Sequence, residues 1–77
     1  MLELYPNPTT GLLQIATGRS ERSVVTLVDG AGREVGQWQV AGTTQVDVGH
    51  LAAGTYTVSM QIGDGLPVRK RLVVLGR

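Results

Sequence analysis

The chain has 77 residues, a formal net charge of +1 at pH 7 and no cysteine. This length supports one small domain, residues 1–77, and excludes a second core. The near-neutral charge disfavours nucleic acid as a partner, and the lack of cysteine excludes disulfides and thiolate metal sites. Val, Ile and Thr supply 21 residues against five Ala, and β-branched side chains favour strands over helices. The composition therefore predicts an all-β domain.

The first part of the chain predicts an edge strand, a bend and a second strand. Residues 2–5 give a short apolar opening that the prolines of residues 6–8 end, because proline lacks a backbone donor and is excluded from central strands. Residues 9–11 predict a turn, since hydroxyl side chains bond to nearby backbone and glycine adopts positive φ. Residues 12–15 resume an extended run, and the polar residues 17–23 predict a loop.

The next part predicts an antiparallel hairpin. Residues 24–28 are apolar at nearly every position, which predicts a strand covered on both faces. Residues 29–32 predict a turn in which Asp29 accepts bonds from backbone N–H groups. Residues 34–40 return as a strand, and Gly36 interrupts their alternation, as at a β-bulge.

The last part predicts three more strands. Residues 44–48 alternate over a short strand that ends at a corner, residues 49–54. Residues 55–62 alternate most clearly, which predicts a wet face of Thr55, Thr57, Ser59 and Gln61 and a core face of Tyr56, Val58, Met60 and Ile62. Residues 63–67 predict a tight connection to a final strand, residues 68–75. Seven short strands without a helical segment predict an antiparallel β-sandwich.

The side chains that carry catalysis or bind metals are few. His50 is the only histidine and no strand-turn-helix elbow accompanies any serine, so we expect no enzyme activity and no catalytic residue. Asp29, Asp47 and Asp64 are not spaced as in a calcium loop, so neither a metal nor another cofactor is predicted. The longest aliphatic run, residues 72–75, is far too short to span a membrane.

The basic run Arg69-Lys70-Arg71 has two interpretations. Charges on an edge strand prevent edge-to-edge aggregation, which requires no partner. The same charges on a terminal strand also suit recognition by an acidic or strand-pairing partner.

The order of motifs resembles the type A C-terminal sorting domain of the Bacteroidetes type IX (Por) secretion system. The resemblance covers nearly the whole chain, and its strength lies in the order and spacing of five weak motifs. These motifs are Tyr5-Pro6-Asn7-Pro8 with Gly11; Val25-Thr26-Leu27-Val28-Asp29 with Gly32; Val46-Asp47-Val48; Leu51-Ala52-Ala53-Gly54-Thr55-Tyr56; and Arg69-Lys70-Arg71-Leu72-Val73-Val74.

This resemblance implies a seven-strand antiparallel immunoglobulin-like β-sandwich that serves as a non-catalytic secretion signal. It implies a cargo domain N-terminal to it in the same chain, passage through the periplasm, and recognition by the outer-membrane translocon. It also implies surface display or secretion of the cargo, commonly with removal of the signal by a surface sortase at a bond upstream of residue 1. Recognition is expected on Arg69, Lys70, Arg71, Leu72, Val73 and Val74, whereas the other motif residues shape the fold.

An alternative remains open at this point. A structural or adhesive module of a secreted surface protein, of the immunoglobulin or fibronectin kind, has similar strand motifs. Such a module would be retained in the mature protein, whereas a sorting domain is dispensable for the activity of its cargo.

Overall fold

A computed structural model describes residues 2–61 and 67–76. Within them the chain forms seven strands and no helix: β1 (Glu3–Tyr5), β2 (Leu12–Ala16), β3 (Ser23–Val28), β4 (Glu34–Val40), β5 (Thr43–Asp47), β6 (Gly54–Gln61) and β7 (Val68–Val74). No helix of the described residues is therefore long and apolar enough to cross a membrane. The predicted core position of Ile62, residues 63–66 of the predicted connection 63–67, which include Asp64, and Arg77 lie outside these ranges.

The strands form two antiparallel sheets. One sheet has three strands in the order β1-β2-β5, and the other has four in the order β4-β3-β6-β7. Within each sheet, every neighbouring pair of strands is antiparallel. The predicted all-β class and the seven-strand immunoglobulin-like sandwich are confirmed, and β1 is an edge strand, as the prolines that follow it predict.

One apolar core lies between the two sheets. Alternate residues of the strands supply it, because successive side chains of a strand point to opposite faces. The predicted core face of β6 is correct over its described residues, and Tyr56 is 7% exposed. The buried apolar residues are Leu2, Leu13, Ile15, Val25, Leu27, Val40, Val46, Val48, Tyr56, Val58, Met60, Leu72 and Val74.

The prediction that residues 24–28 are covered on both faces is wrong. Val24 is 39% exposed, whereas its neighbours Ser23 and Val25 are buried. β3 is an inner strand by hydrogen bonding, because it pairs with both β4 and β6. Only its core face packs on the other sheet, so its outer face stays open despite its apolar sequence.

The predicted irregularity at Gly36 is confirmed. The register shifts between Leu27, which faces Gly36, and Val28, which faces Glu34, so one extra residue lies in β4. A Cβ atom on Gly36 would come within 2.7 Å of the Trp38 indole ring. The glycine is therefore needed because Trp38 folds back over this position and packs against the core.

Candidate functional site

The edge of the four-stranded sheet at β7 contains the motif residues that the sequence singled out at both ends of the chain. β7 pairs with β6 on one side only. Residues 6–11, here called the strap, run along part of its other side. The Tyr5–Pro6 and Asn7–Pro8 peptide bonds are both cis.

Asn7 binds β7 through its side chain. Its Nδ2 donates to the backbone oxygen of Arg71 over 2.8 Å, and its Oδ1 accepts from the backbone nitrogen of Val73 over 3.0 Å. A side-chain amide places an N–H donor beside a C=O acceptor, as the backbone of a strand does. Asn7 therefore substitutes for a neighbouring strand at this point.

Thr9 continues the cover with its backbone. Its N–H donates to the oxygen of Val73 over 3.0 Å, and its oxygen accepts from the N–H of Leu75 over 2.8 Å, which makes a parallel bridge to β7. The buried Thr9 hydroxyl donates to the oxygen of Leu12 and accepts from the N–H of Gly11. This local bonding turns the strap sharply into β2.

Gly11 ties the strap to the three-stranded sheet. Its backbone oxygen accepts from the N–H of Val48 over 2.8 Å, just after β5 ends. The Asp47 carboxylate accepts from the N–H of Gly49 in the same corner. The strap therefore joins both sheets. Its contacts give Asn7 and Gly11 of the N-terminal motif their structural roles.

The strap covers only the second half of the β7 edge. The contacts of Arg71, Val73 and Leu75 show that odd-numbered residues direct their backbone groups away from β6, because these directions alternate along an antiparallel strand. By this alternation the backbone N–H and C=O groups of Arg69 also point away from β6. These groups and the N–H of Arg71 have no partner among the described residues. The predicted pairing-competent edge is thus reduced to this open half.

The basic run does not form a single patch. Arg69 and Arg71 lie on the outer face of the sheet, whereas Lys70 lies on the core-side face with the buried Leu72 and Val74. All three cations are exposed, and none forms an ion pair within the part of the chain that the structure describes. Their period of two was readable from the sequence. Leu72 and Val74 anchor β7 and are inaccessible in the folded domain.

A groove of about 230 Å³ opens beside Lys70. It lies between β1 and the uncovered half of β7, and Asn7 is part of its lining. Its lining combines apolar, amide and charged side chains: Leu2, Glu3, Leu4, Asn7 and Lys70. The open edge of β7 is therefore accessible and has space beside it.

The outer face next to Arg69 is rich in hydroxyl groups. Ser59 faces Arg69, and Thr57 faces Arg71, across the β6–β7 ladder. A shallow depression of about 620 Å³ extends from Arg69 over these residues to the turn after β3, and its lining is Thr26, Val28, Asp29, Gly30, Gly32, Thr57, Ser59 and Arg69. The Arg69 guanidinium thus borders a polar surface that also contains the Asp29 carboxylate.

The remaining motif residues shape two corners. The Tyr56 hydroxyl donates to the backbone oxygen of Ala52 over 2.6 Å, which fastens the corner before β6. The N–H of Leu51 donates to the oxygen of Val48, and Gly54 begins β6. These contacts give the Leu51-to-Tyr56 motif a structural role.

The turn after β3 is organised by Asp29. Its carboxylate accepts from the N–H groups of Arg33 and Ala31, both over 2.9 Å, and from the Arg33 guanidinium over 3.1 Å. The Arg33 N–H contributes most, and together these bonds lower the pKa of Asp29 below its ordinary value. Gly32 has φ of 84°, a conformation that favours glycine.

No group of three or more metal-binding side chains occurs within residues 2–61 and 67–76. His50 is exposed in the corner that follows β5, and no pair of described residues forms a nucleophile–base arrangement with it. The strap contact to β7 was not predicted, because it joins residues 64 positions apart and no local pattern reports such a contact. The sequence shows only that an asparagine stands between two prolines, Pro6 and Pro8.

The chain matches a model of a known protein family. The model described as a secretion system C-terminal sorting domain matches residues 3–75. A search of curated proteins finds no match to the chain. The matched range includes the strap, both corners and the whole of β7, and it favours a sorting signal over an adhesive module.

Proposed function

Because the chain belongs to the family of secretion system C-terminal sorting domains, it is a C-terminal signal for type IX secretion, and we propose that the translocon reads this signal on β7. Members of this family are non-catalytic in general. Export to the cell surface or the medium follows from the family. The passage of a cargo domain through the periplasm and removal of the signal by a sortase are parts of the proposal.

The unpaired cations of β7 are the observation that supports this proposal. Arg69, Lys70 and Arg71 are consecutive and exposed on alternate faces of β7, with no acidic partner among the described residues. Arg33 and Arg19, by contrast, pair with Asp29 and Glu21. Accessible charges that form no ion pair in the described structure are suited to attracting and binding an acidic partner.

The buried part of β7 has a different task in this proposal. Leu72 and Val74 fix the strand in the core, and Asn7 and Thr9 fix its edge. Val73 is half-buried on the outer face. The translocon therefore contacts the basic side chains, while the apolar residues of the motif hold them in place.

The test is a fusion of the chain to the C-terminus of an exported reporter in a bacterium with type IX secretion. We expect Arg69→Ala/Lys70→Ala/Arg71→Ala to lower surface reporter about tenfold or more, as for loss of charged interface anchors. Arg22→Ala is the control, because Arg22 is also exposed and makes no ion pair in the described structure. Undiminished export of the triple variant, with its fold intact by circular dichroism, would contradict recognition through β7.

A further inference from the structure

The open half of the β7 edge has the geometry for a short added strand. The N–H and C=O of Arg69 and the N–H of Arg71 point outward without a described partner. The strap occupies the next group along, the C=O of Arg71, through Asn7. An incoming strand therefore has these three backbone groups available and must stop at Asn7.

The side chains around this edge define the chemistry of the incoming strand. Arg69 and Arg71 lie on the same face about 7 Å apart, the repeat of alternate residues in a strand. Residues directly opposite in neighbouring strands share a face, so an added strand would place alternate side chains beside these two guanidinium groups. Carboxylates at those positions would form charge-assisted hydrogen bonds.

The other face of the added strand would meet the groove of about 230 Å³ beside Lys70. This space lies among Leu4, Asn7, Glu3 and Lys70, so it suits a small side chain with a polar group. Threonine fulfils this condition and also favours the extended conformation.

We propose that the open half of the β7 edge binds an extended acidic peptide of the partner by strand addition, with carboxylates on Arg69 and Arg71 and small residues over the groove. This proposal deepens and rests on the recognition of β7 proposed above. It adds the backbone pairing, the alternate acidic spacing and the limit at Asn7.

The test is an NMR titration of the ¹⁵N-labelled chain with a capped peptide in which Glu and Thr alternate. We expect the largest shift changes at the amides of Arg69 and Arg71, and little change at Val73 and Leu75, whose N–H groups the strap already holds. A peptide with Gln in place of Glu should bind about tenfold more weakly, because it lacks the charges. Equal binding of the two peptides, or changes centred elsewhere, would overturn the proposal.

Backbone pairing is tested by a matched pair of variants. Arg69→Ala and Arg69→Pro remove the same charge, but only the proline variant removes the outward N–H, and proline is tolerated where an edge N–H faces solvent. We expect Arg69→Pro to bind the peptide several-fold more weakly than Arg69→Ala. Two Glu-Thr peptides, one N-methylated on the Glu residues and the other on the Thr residues, give the same test on the unaltered protein, because only one of these two sets of N–H groups faces β7 in an added strand. Full binding by both peptides would overturn strand addition.

The two proposals fail separately. Loss of export in the triple alanine variant, together with no binding of the Glu-Thr peptide, would overturn strand addition and leave the recognition of β7 in place. Unchanged export of that variant, together with peptide binding at Arg69 and Arg71, would contradict translocon recognition while supporting the peptide site itself.

Discussion

At the scale of single residues, Asn7 explains why the N-terminal motif accompanies a distant basic strand. Its amide makes two hydrogen bonds to β7, to Arg71 and Val73. Only asparagine and glutamine carry a neutral side-chain amide with a donor beside an acceptor. The glutamine side chain is longer by one methylene. The residue therefore acts as a substitute for backbone.

Replacing Asn7 tests this role. We expect Asn7→Ala to lower the free energy of unfolding by about 1–2 kcal/mol, because two hydrogen bonds are lost at a solvent-exposed edge. Urea unfolding followed by circular dichroism measures the change. Thr10→Ala is the control, since Thr10 is exposed in the same strap; equal stability of the two variants would show that the Asn7 bonds contribute nothing.

Asp29 gives a pH dependence whose sign is fixed by its hydrogen bonds. Its pKa is lowered from the ordinary 3.8 in the folded chain, chiefly by the N–H of Arg33. A lowered pKa means that the carboxylate stabilises the fold above the unfolded value and loses this contribution as the pH falls through the folded value.

We therefore expect wild type to unfold at a higher temperature than Asp29→Asn at neutral pH, and this difference to narrow below about pH 4. Thermal unfolding of both proteins across this range measures it. A difference that stays constant with pH would contradict the assignment to the Asp29 charge.

At the scale of elements, β7 combines two roles by alternation. Leu72 and Val74 bury one side of the strand, whereas Arg69 and Arg71 project from the other. In β4, Gly36, Trp38 and Val40 share the core side by unbroken alternation. The extra residue of the bulge lies before Gly36, where Val35 also packs against the core. Local irregularity and exposed charge thus occur within strands that still supply the core.

Gly36 is the position at which this arrangement in β4 is most easily disturbed. We expect Gly36→Ala to destabilise the fold by about 1–3 kcal/mol, because its methyl group would overlap the indole of Trp38. Gly30→Ala is the matched control, since its methyl group would have no neighbour closer than 4.0 Å. Chemical unfolding of both variants provides the comparison, and an unchanged Gly36→Ala protein would show that Trp38 does not require the glycine.

At the scale of the whole molecule, the sequence predicts the strands better than the contacts between its ends. Alternation in residues 55–61, together with the glycine and proline positions, was sufficient for seven strands and two sheets. The prediction from the apolar run of residues 24–28 failed at Val24, because an apolar residue does not reveal that one face of an inner strand is uncovered. The sequence analysis also did not predict the strap, because the hydrogen bonds from Asn7 to Arg71 and Val73 depend on how the two sheets pack on each other.

The division of the β7 edge follows from this stacking and underlies both proposals. The strap forms hydrogen bonds with the half of the β7 edge next to Leu75 and with the three-stranded sheet. The half of the edge at Arg69 stays open beside β1. A small domain can in this way protect half of an edge strand from aggregation while it leaves the other half for recognition.

Amide hydrogen exchange of the whole chain, measured by NMR, tests this division most directly. The account predicts slow exchange at Val73 and Leu75, held by the strap, and fast exchange at Arg69 and Arg71 in the same strand. The amides of Lys70 and Leu72, which face β6, serve as internal controls and should exchange slowly. Equal protection of all four odd-numbered amides, or faster exchange at Val73 and Leu75, would contradict the account.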